Sequence, residues 1–217
     1  MSYIKTFQFW NSDKNVHYFK DKPADPRIEK RLLELKQKSS ANLVALDLGC
    51  GGGRHTELLI KLGFSTHVID LNPQMLSCTK NRVGAKNLKA LKRASITKLP
   101  FFDNIFDAVV TTGVLHQAKN IAEYQVVISE LSRVLKGGGL VCLNIFTSTK
   151  LDSTYKKNKD AFSFQTKEGL DMTLLSKEVF YEMMSWYGLK LEQEISEDFV
   201  QENTGERSVL RCNFIKV

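Results

Sequence analysis

The residues with the clearest chemical purpose lie between Leu46 and Arg54, where the chain reads Leu-Asp-Leu-Gly-Cys-Gly-Gly-Gly-Arg. An apolar run carries the acid Asp47, and glycines follow at alternate positions, Gly49, Gly51 and Gly53. Glycine at that spacing lets the backbone turn sharply, brings a ligand against bare main chain and seats a helix start on the preceding strand. The N–H groups at such a helix start favour an anionic ligand group. A dinucleotide fingerprint would place another glycine six positions into the motif, and Arg54 stands there instead. The loop therefore suits a zwitterionic amino-acid tail better than a pyrophosphate, which speaks against a nicotinamide dehydrogenase. A second acid, Asp70, closes the β-branched run 64–69. In a doubly wound α/β fold, that is the place for a carboxylate that accepts hydrogen bonds from ribose hydroxyls.

Other reactive side chains form no comparable constellation. The cysteines Cys50, Cys78, Cys142 and Cys212 are far apart and contain no C-x-x-C pair. That spacing predicts no metal site, no disulfide framework and no iron–sulfur centre, but reduced thiols in a cytoplasmic protein. Cys50 fits the glycine loop by its small size, with catalysis the alternative. His116 is the best candidate for a general base, because an unperturbed imidazole titrates near neutrality. A structural or ligand-contacting histidine is the competing assignment. His17 and Tyr18 are further candidates if the N-terminal segment covers the site, whereas His55 and His67 sit at packing or surface positions.

Alternating elements must position these groups. Asp25-Pro26 starts a helix, with Asp as cap, Pro in the first turn and Ile28, Leu32, Leu33 and Leu35 as its apolar stripe. Strands are predicted at 44–48, 65–70, 88–93, 106–111 and 140–146, with helices beginning near Arg54, Pro73 and Ile121. The last of these is predicted to stop at Gly137-Gly138-Gly139. Ser176 caps a further helix that Gly188 ends, and 189–195 and 209–217 form a closing pair of strands. Strand–helix alternation implies a doubly wound, mostly parallel α/β sheet. The 217 residues fit one domain, divided into an N-terminal helix or lid (1–40), a core (41–146), an insertion (147–175) and a C-terminal helix and hairpin (176–217). No apolar run reaches the roughly 20 residues that span a bilayer, and Met1 to Trp10 lacks a secretory-signal pattern.

At five ordered blocks the chain resembles the class I S-adenosylmethionine-dependent methyltransferases. They are Leu46 to Gly53, Val68-Ile69-Asp70-Leu71-Asn72-Pro73-Gln74-Met75-Leu76, Leu99-Pro100-Phe101, Phe106 to Val110 with Gly113-Val114-Leu115-His116, and Glu130 to Gly139. The resemblance implies a Rossmann-like, seven-stranded sheet with an antiparallel C-terminal edge hairpin, and S-adenosylmethionine as cofactor, leaving S-adenosylhomocysteine as product. It implies that Asp47 serves the ammonium through water while Gly49, Gly51 and Gly53 line the amino-acid tail. Arg54 pairs with the carboxylate or is solvated. Asp70 takes the ribose hydroxyls, Leu71 and Met75 flank the adenine, and Thr112 and Gly113 complete the cofactor set. Ser95 and Ile96 stand where the family often has an acid for the adenine amino group, so this contact departs from the pattern.

The acceptor is less legible. No Asn/Asp/Ser-Pro-Pro-aromatic tetrad lies between Thr111 and His116, which disfavours methylation of nucleic-acid bases. Phe7, Phe9, Trp10, Tyr18, Phe19, Phe162 and Phe164 suit a small acceptor with an apolar or cationic part, or else shield the sheet. Trp10, Tyr18, Phe19 and His116 are the expected acceptor contacts. The net charge of +7 raises RNA or protein as an alternative acceptor, but the lysines are spread apart from one patch, Lys156, Lys157 and Lys159. A non-catalytic nucleotide-binding module is the remaining alternative, supported only by Ser95. The expectation is transfer to an oxygen or nitrogen of a small molecule.

Overall fold

The computed structural model describes residues 8–158, 160–202 and 205–217; Phe7 and Lys159 lie outside the described residues. Two helices lead into the fold, α1 (Asp13–Lys20) and α2 (Pro26–Gln37). The core then alternates β1 (Val44–Leu48), α3 (Arg54–Lys61), β2 (Ser65–Asp70), α4 (Pro73–Val83), β3 (Ala90–Arg93), β4 (Phe106–Thr112), α5 (Ile121–Val134) and β5 (Leu135–Leu151). A small antiparallel sheet of β6 (Lys156–Lys157), β7 (Ser163–Gln165) and β8 (Asp171–Thr173) follows. The chain closes with α6 (Lys177–Trp186), β9 (Leu189–Glu202) and β10 (Gly205–Lys216). The main sheet has the order β3-β2-β1-β4-β5-β10-β9. Its first five strands are parallel, and β10 runs antiparallel to both neighbours. Strand order reverses at β1, which opens a crevice beyond the C-terminal ends of β1 and β4.

Period-two alternation divides the core. Leu46, Ile69, Val109, Val141 and Leu143 pack against α5 and α6 through Ile128, Leu131, Phe180 and Met184. Their neighbours Ala45, Ala108, Val110 and Cys142 face Ile28 and Leu32 of α2 and Leu58 and Leu59 of α3. Caps set the helix starts: Asp25 accepts from the Arg27 N–H at 2.9 Å, Asn72 from Gln74 at 2.8 Å and Asn120 from Glu123 at 2.9 Å. Arg31 of α2 makes a two-pronged pair with Glu192 of β9, at 2.8 and 2.6 Å, joining the leading helix to the closing hairpin.

Three boundaries differ from expectation. Helix α5 ends at Val134, not at the glycine triplet, and the chain is extended from Leu135 onward. The β4–β5 pairing jumps from Phe106↔Leu135 to Ala108↔Leu140, so residues 136–139 form a bulge, with Gly138 at φ +76°. The triplet is thus a bulge inside a strand. Strand β5 runs past Phe146 to Leu151, so the first residues of the expected insertion still belong to the sheet. The hairpin strands are also longer than expected, because the polar stretches 196–202 and 205–208 pair across the sheet edge as well.

Candidate active site

A cavity of about 390 Å³ occupies the crevice, within the range of small-molecule sites. Its floor is the glycine turn. The Gly49 and Cys50 N–H groups donate to the Ile69 carbonyl at 2.9 and 3.1 Å, which locks the turn after β1 onto the end of β2. Gly51 (φ +53°) and Gly113 (φ +74°) both line the cavity, and a Cβ on either would stand in open space. These positive φ values favour glycine, and bare main chain faces the cavity at both places. At Gly49 (φ +74°) contact adds a second constraint, because a Cβ there would collide with Val114.

Asp70 ties the turn to the next loop. Its Oδ2 accepts from the Gly51 N–H at 2.9 Å and its Oδ1 from the Asn72 N–H at 2.8 Å. Burial raises the pKa of this carboxyl, and the N–H groups of Asn72, Gly51 and Leu71 oppose the shift. Beside it, Leu71, Met75, Ala94 and Ile96 supply an apolar wall, and Ser95 lines the same end, sharing a 2.8 Å hydrogen bond with Thr97. Arg54 lines the cavity, bridging the Pro23 carbonyl and Thr112 Oγ1 at 3.4 Å each. It is half-buried and held between two elements.

Two predicted contacts fall behind the loop. Asp47 does not line the cavity; it is buried and accepts a 2.5 Å hydrogen bond from Thr56 on α3. Burial pushes its carboxyl up to about 6, against the Thr56 hydrogen bond and with the charge of Asp70 adding to the rise. Gly53 packs on Thr79 of α4, where a Cβ would come within 2.9 Å of the hydroxyl. The Cys50 thiol is also buried, and burial raises its pKa well above the usual thiol range, which leaves it unreactive.

The N-terminal segment covers the cavity. Phe9, Trp10, Tyr18 and Phe19 line it, while His17 does not. The segment is strapped down by its carbonyls: Asn72 donates to Trp10 O at 2.8 Å, and Arg82 to Lys20 O and Lys22 O at 3.1 Å each. Gly52 lies under this strap, where a Cβ would sit 2.5 Å from Lys20 Cα and from Phe19 O.

His116 is set back from the cavity, contrary to the expectation of a base or acceptor contact. The short turn Leu115–Gln117 directs its ring under Phe146, with centroids 3.8 Å apart and planes 23° apart. Its Nδ1 accepts from the Phe146 N–H at 3.3 Å. Burial, aided by the charge of Arg207, holds its pKa well below the histidine range, so the ring is neutral. His55 is likewise neutral, pushed down to about 3 by burial and by Arg54 and Arg82. Gln117, Asn144, Phe146, Asp171 and Arg207, none of them anticipated, line the far end of the cavity. The insertion closes that end: Thr173 Oγ1 donates to Ala118 O at 2.7 Å, and Ser163 Oγ to Lys119 O at 3.3 Å.

Residues 46–143 match a family described as a methyltransferase domain. The chain is 32% identical over 133 residues (61% of the chain) to a malonyl-[acyl-carrier protein] O-methyltransferase of Buchnera aphidicola, covering 50% of that protein. It is 39% identical over 103 residues (46% of the chain) to a demethylmenaquinone methyltransferase of Staphylococcus aureus, covering 42% of it. The chain thus spans about half the length or less of these relatives. Among solved structures, the 1,6-didemethyltoxoflavin-N1-methyltransferase of Burkholderia thailandensis, with its acceptor and S-adenosylhomocysteine bound, shares the fold. Its TM-score is 0.67 at 15% identity, over 99% of this chain and 85% of that one.

Two predictions follow from the placement of Asp47 and Gly52. A carboxyl whose pKa is raised by folding subtracts stability as pH climbs from the ordinary carboxylate value to about 6, and the full penalty persists above that. Asp47→Asn should therefore stabilise the protein above that window by up to about 3 kcal/mol, and denaturant midpoints measured across pH should show a flatter slope. Identical slopes in both proteins would contradict the assignment. Gly52→Ala should dislodge the strap while the core stays folded, seen as faster tryptic cleavage after Lys20. Unchanged cleavage would show that the close contact is not needed.

Proposed function

We propose that this chain is a class I S-adenosylmethionine-dependent methyltransferase that methylates an oxygen or nitrogen of a small-molecule acceptor; the match of residues 46–143 to a methyltransferase-domain family and the shared fold support this reading. The observation that carries this reading is one continuous cavity with two chemically different ends. At one end, bare backbone at Gly51 and Gly113 meets the half-buried Asp70 carboxylate. At the other, aromatic faces from the strap and from β5 enclose a space beside Gln117 and Asn144.

The residues of the first end fit the cofactor. Asp70 would hold the ribose hydroxyls, with both its oxygens already fixed by backbone N–H groups. Leu71, Met75 and Ile96 would flank the adenine, with Ser95 at its edge. Gly49, Gly51, Thr112 and Gly113 would receive the amino-acid tail. Arg54 would face its carboxylate, while Asp47 would act on the ammonium from behind the loop. When bound, S-adenosylmethionine supplies a methyl group activated by its sulfonium.

The protein's own part is then positioning and the exclusion of water, because displacement at an activated carbon depends on alignment. Trp10, Tyr18 and Phe19 would close over the acceptor from the strap, and the small sheet would close the far side through Thr173 and Ser163. Among the described residues no histidine lines the cavity, so His116 is not assigned the role of base. The relatives named for malonyl-[acyl-carrier protein] and demethylmenaquinone, and the toxoflavin-type N1-methyltransferase, support a non-polymeric acceptor. No described helix is long and apolar enough to cross a membrane. The four cysteines are free thiols, which suits the cytoplasm.

Calorimetric titration with S-adenosylhomocysteine tests the cofactor end. Asp70→Ala removes a charged acceptor from buried N–H groups and from the ribose, and affinity should fall about a hundredfold or more. Unchanged affinity in a folded variant would refute the site.

A further inference from the structure

We propose that the acceptor presents a neutral, amide-like edge, with a hydrogen-bond donor beside an acceptor, and that the Asn144 carboxamide receives it. This rests on the methyl-transfer reading, since it names the class of molecule that fills the far end of the same cavity. Asparagine is disfavoured in strands, yet Asn144 stands in β5 between the buried Leu143 and Ile145. Both neighbours belong to the core under α5 and α6. Strand alternation therefore turns Asn144 to the opposite face, where it lines the cavity half-buried. Its side chain makes no hydrogen bond among the described residues. A guest that displaces water here leaves the carboxamide unpaired, at a cost, unless it supplies both a donor and an acceptor.

The fold sets this group beside the cofactor end. Asn144 lies opposite Thr112 of β4 and Arg211 of β10, and all three line the cavity as one row across the sheet. The Gly113 N–H donates to the Asn144 carbonyl at 3.3 Å, and Gln117 Nε2 donates to the Gly113 carbonyl at 2.7 Å. Gly113 thus fixes the backbone of Asn144 and the side chain of Gln117, whose Oε1 is left to accept from the same guest. Polar groups held in place before binding lower the entropic cost of recognition.

The charged side chains around the cavity are engaged within the chain. Arg211 donates to Asp198 at 2.5 Å and lies 3.7 Å from Asp25, and Lys119 lies 3.7 Å from Glu123. Lys22 rests over the Tyr18 ring, 3.9 Å from its centroid. Arg207 rests over the Phe146 ring at 4.5 Å and donates to the Gly205 carbonyl at 3.3 and 3.2 Å. Hydrogen bonds from Thr154 hold the Asp152 carboxyl below its usual range, and the Arg207 charge adds to this. Asp171, at the same end of the cavity, accepts from Gln165 at 3.0 Å. A charged guest would lose its water without finding an uncommitted counter-charge, whereas a neutral edge needs none. The aromatic faces of Phe9, Trp10 and Phe146 fit a flat ring bearing that edge.

The test uses the full chain saturated with S-adenosylhomocysteine and titrated, by ligand-observed NMR, with probes built on one ring. These are benzamide, N,N-dimethylbenzamide, benzoate and benzylammonium. Benzamide should bind about tenfold or more tightly than the others, because it alone offers donor and acceptor without charge. Asn144→Leu, of similar volume, should erase that preference, and Asn144→Gln should keep part of it. A comparable affinity for S-adenosylhomocysteine reports an intact fold in each variant; should a variant lose it, the probe series on the wild-type protein still decides. Equal binding of benzamide and any other probe, no binding of benzamide, or a preference that survives Asn144→Leu would each overturn the proposal. If the wild-type protein fails to bind S-adenosylhomocysteine, the methyl-transfer reading fails, and the same probes titrated into the protein alone decide the role of Asn144.

Discussion

The corner at Asp70 is the constraint on which the rest of the site depends. One carboxylate holds the N–H of Gly51 and the N–H of Asn72, so the loop after β1 and the loop after β2 cannot move independently. Hydrogen bonds to a charged group contribute about 1.5–3 kcal/mol each, more than neutral ones. Asn72 carries the constraint onward, because its Oδ1 caps α4 and its Nδ2 holds the Trp10 carbonyl of the strap. The acid proposed to hold the ribose, a helix start and the strap are thereby linked through two adjoining loops. The cost is a half-buried carboxyl beside a fully buried acid, Asp47, and both have raised pKa values.

The cavity divides between common and particular parts of the chain. The cofactor end is built by β1, β2, β4 and the turns after them, within the segment that matches the methyltransferase-domain family. The proposed acceptor end adds parts from outside it, the strap before α2, the end of β5, Asp171 and the start of β10, to the turn at Gln117 and Ala118 within it. A fold shared by many enzymes sets the first end, and chemistry particular to this chain belongs to the second. Arg207, Phe146 and His116 form a stack there that fixes a charge, a ring and a neutral imidazole in one arrangement.

How legible each part was follows the same division. Asp70, Gly51 and Gly113 were readable because turn geometry restricts residue type locally, and the parallel strands were readable from apolar runs of the right length. Asp47 stands behind the loop and off the cavity wall, because an acid in a strand can face either the ligand or the flanking helix. Thr56, nine residues onward, decides the matter, and sequence spacing does not reveal that contact. His116 packs under Phe146 and off the cavity, the structural one of the two assignments that its position after β4 leaves open. Arg207 was missed because its position depends on a bulge across an antiparallel pair, a long-range register that no local pattern encodes. The glycine triplet was read as a helix stop, although the same residues serve a strand bulge equally well.

A crystal structure with S-adenosylhomocysteine bound would test the central claim most directly. The account predicts ribose hydroxyls on the Asp70 carboxylate, the amino-acid tail against Gly49 and Gly51, and the strap closed over the ligand with Asn72 still on Trp10. A ligand seated elsewhere, or one whose ribose makes no contact with Asp70, would contradict it.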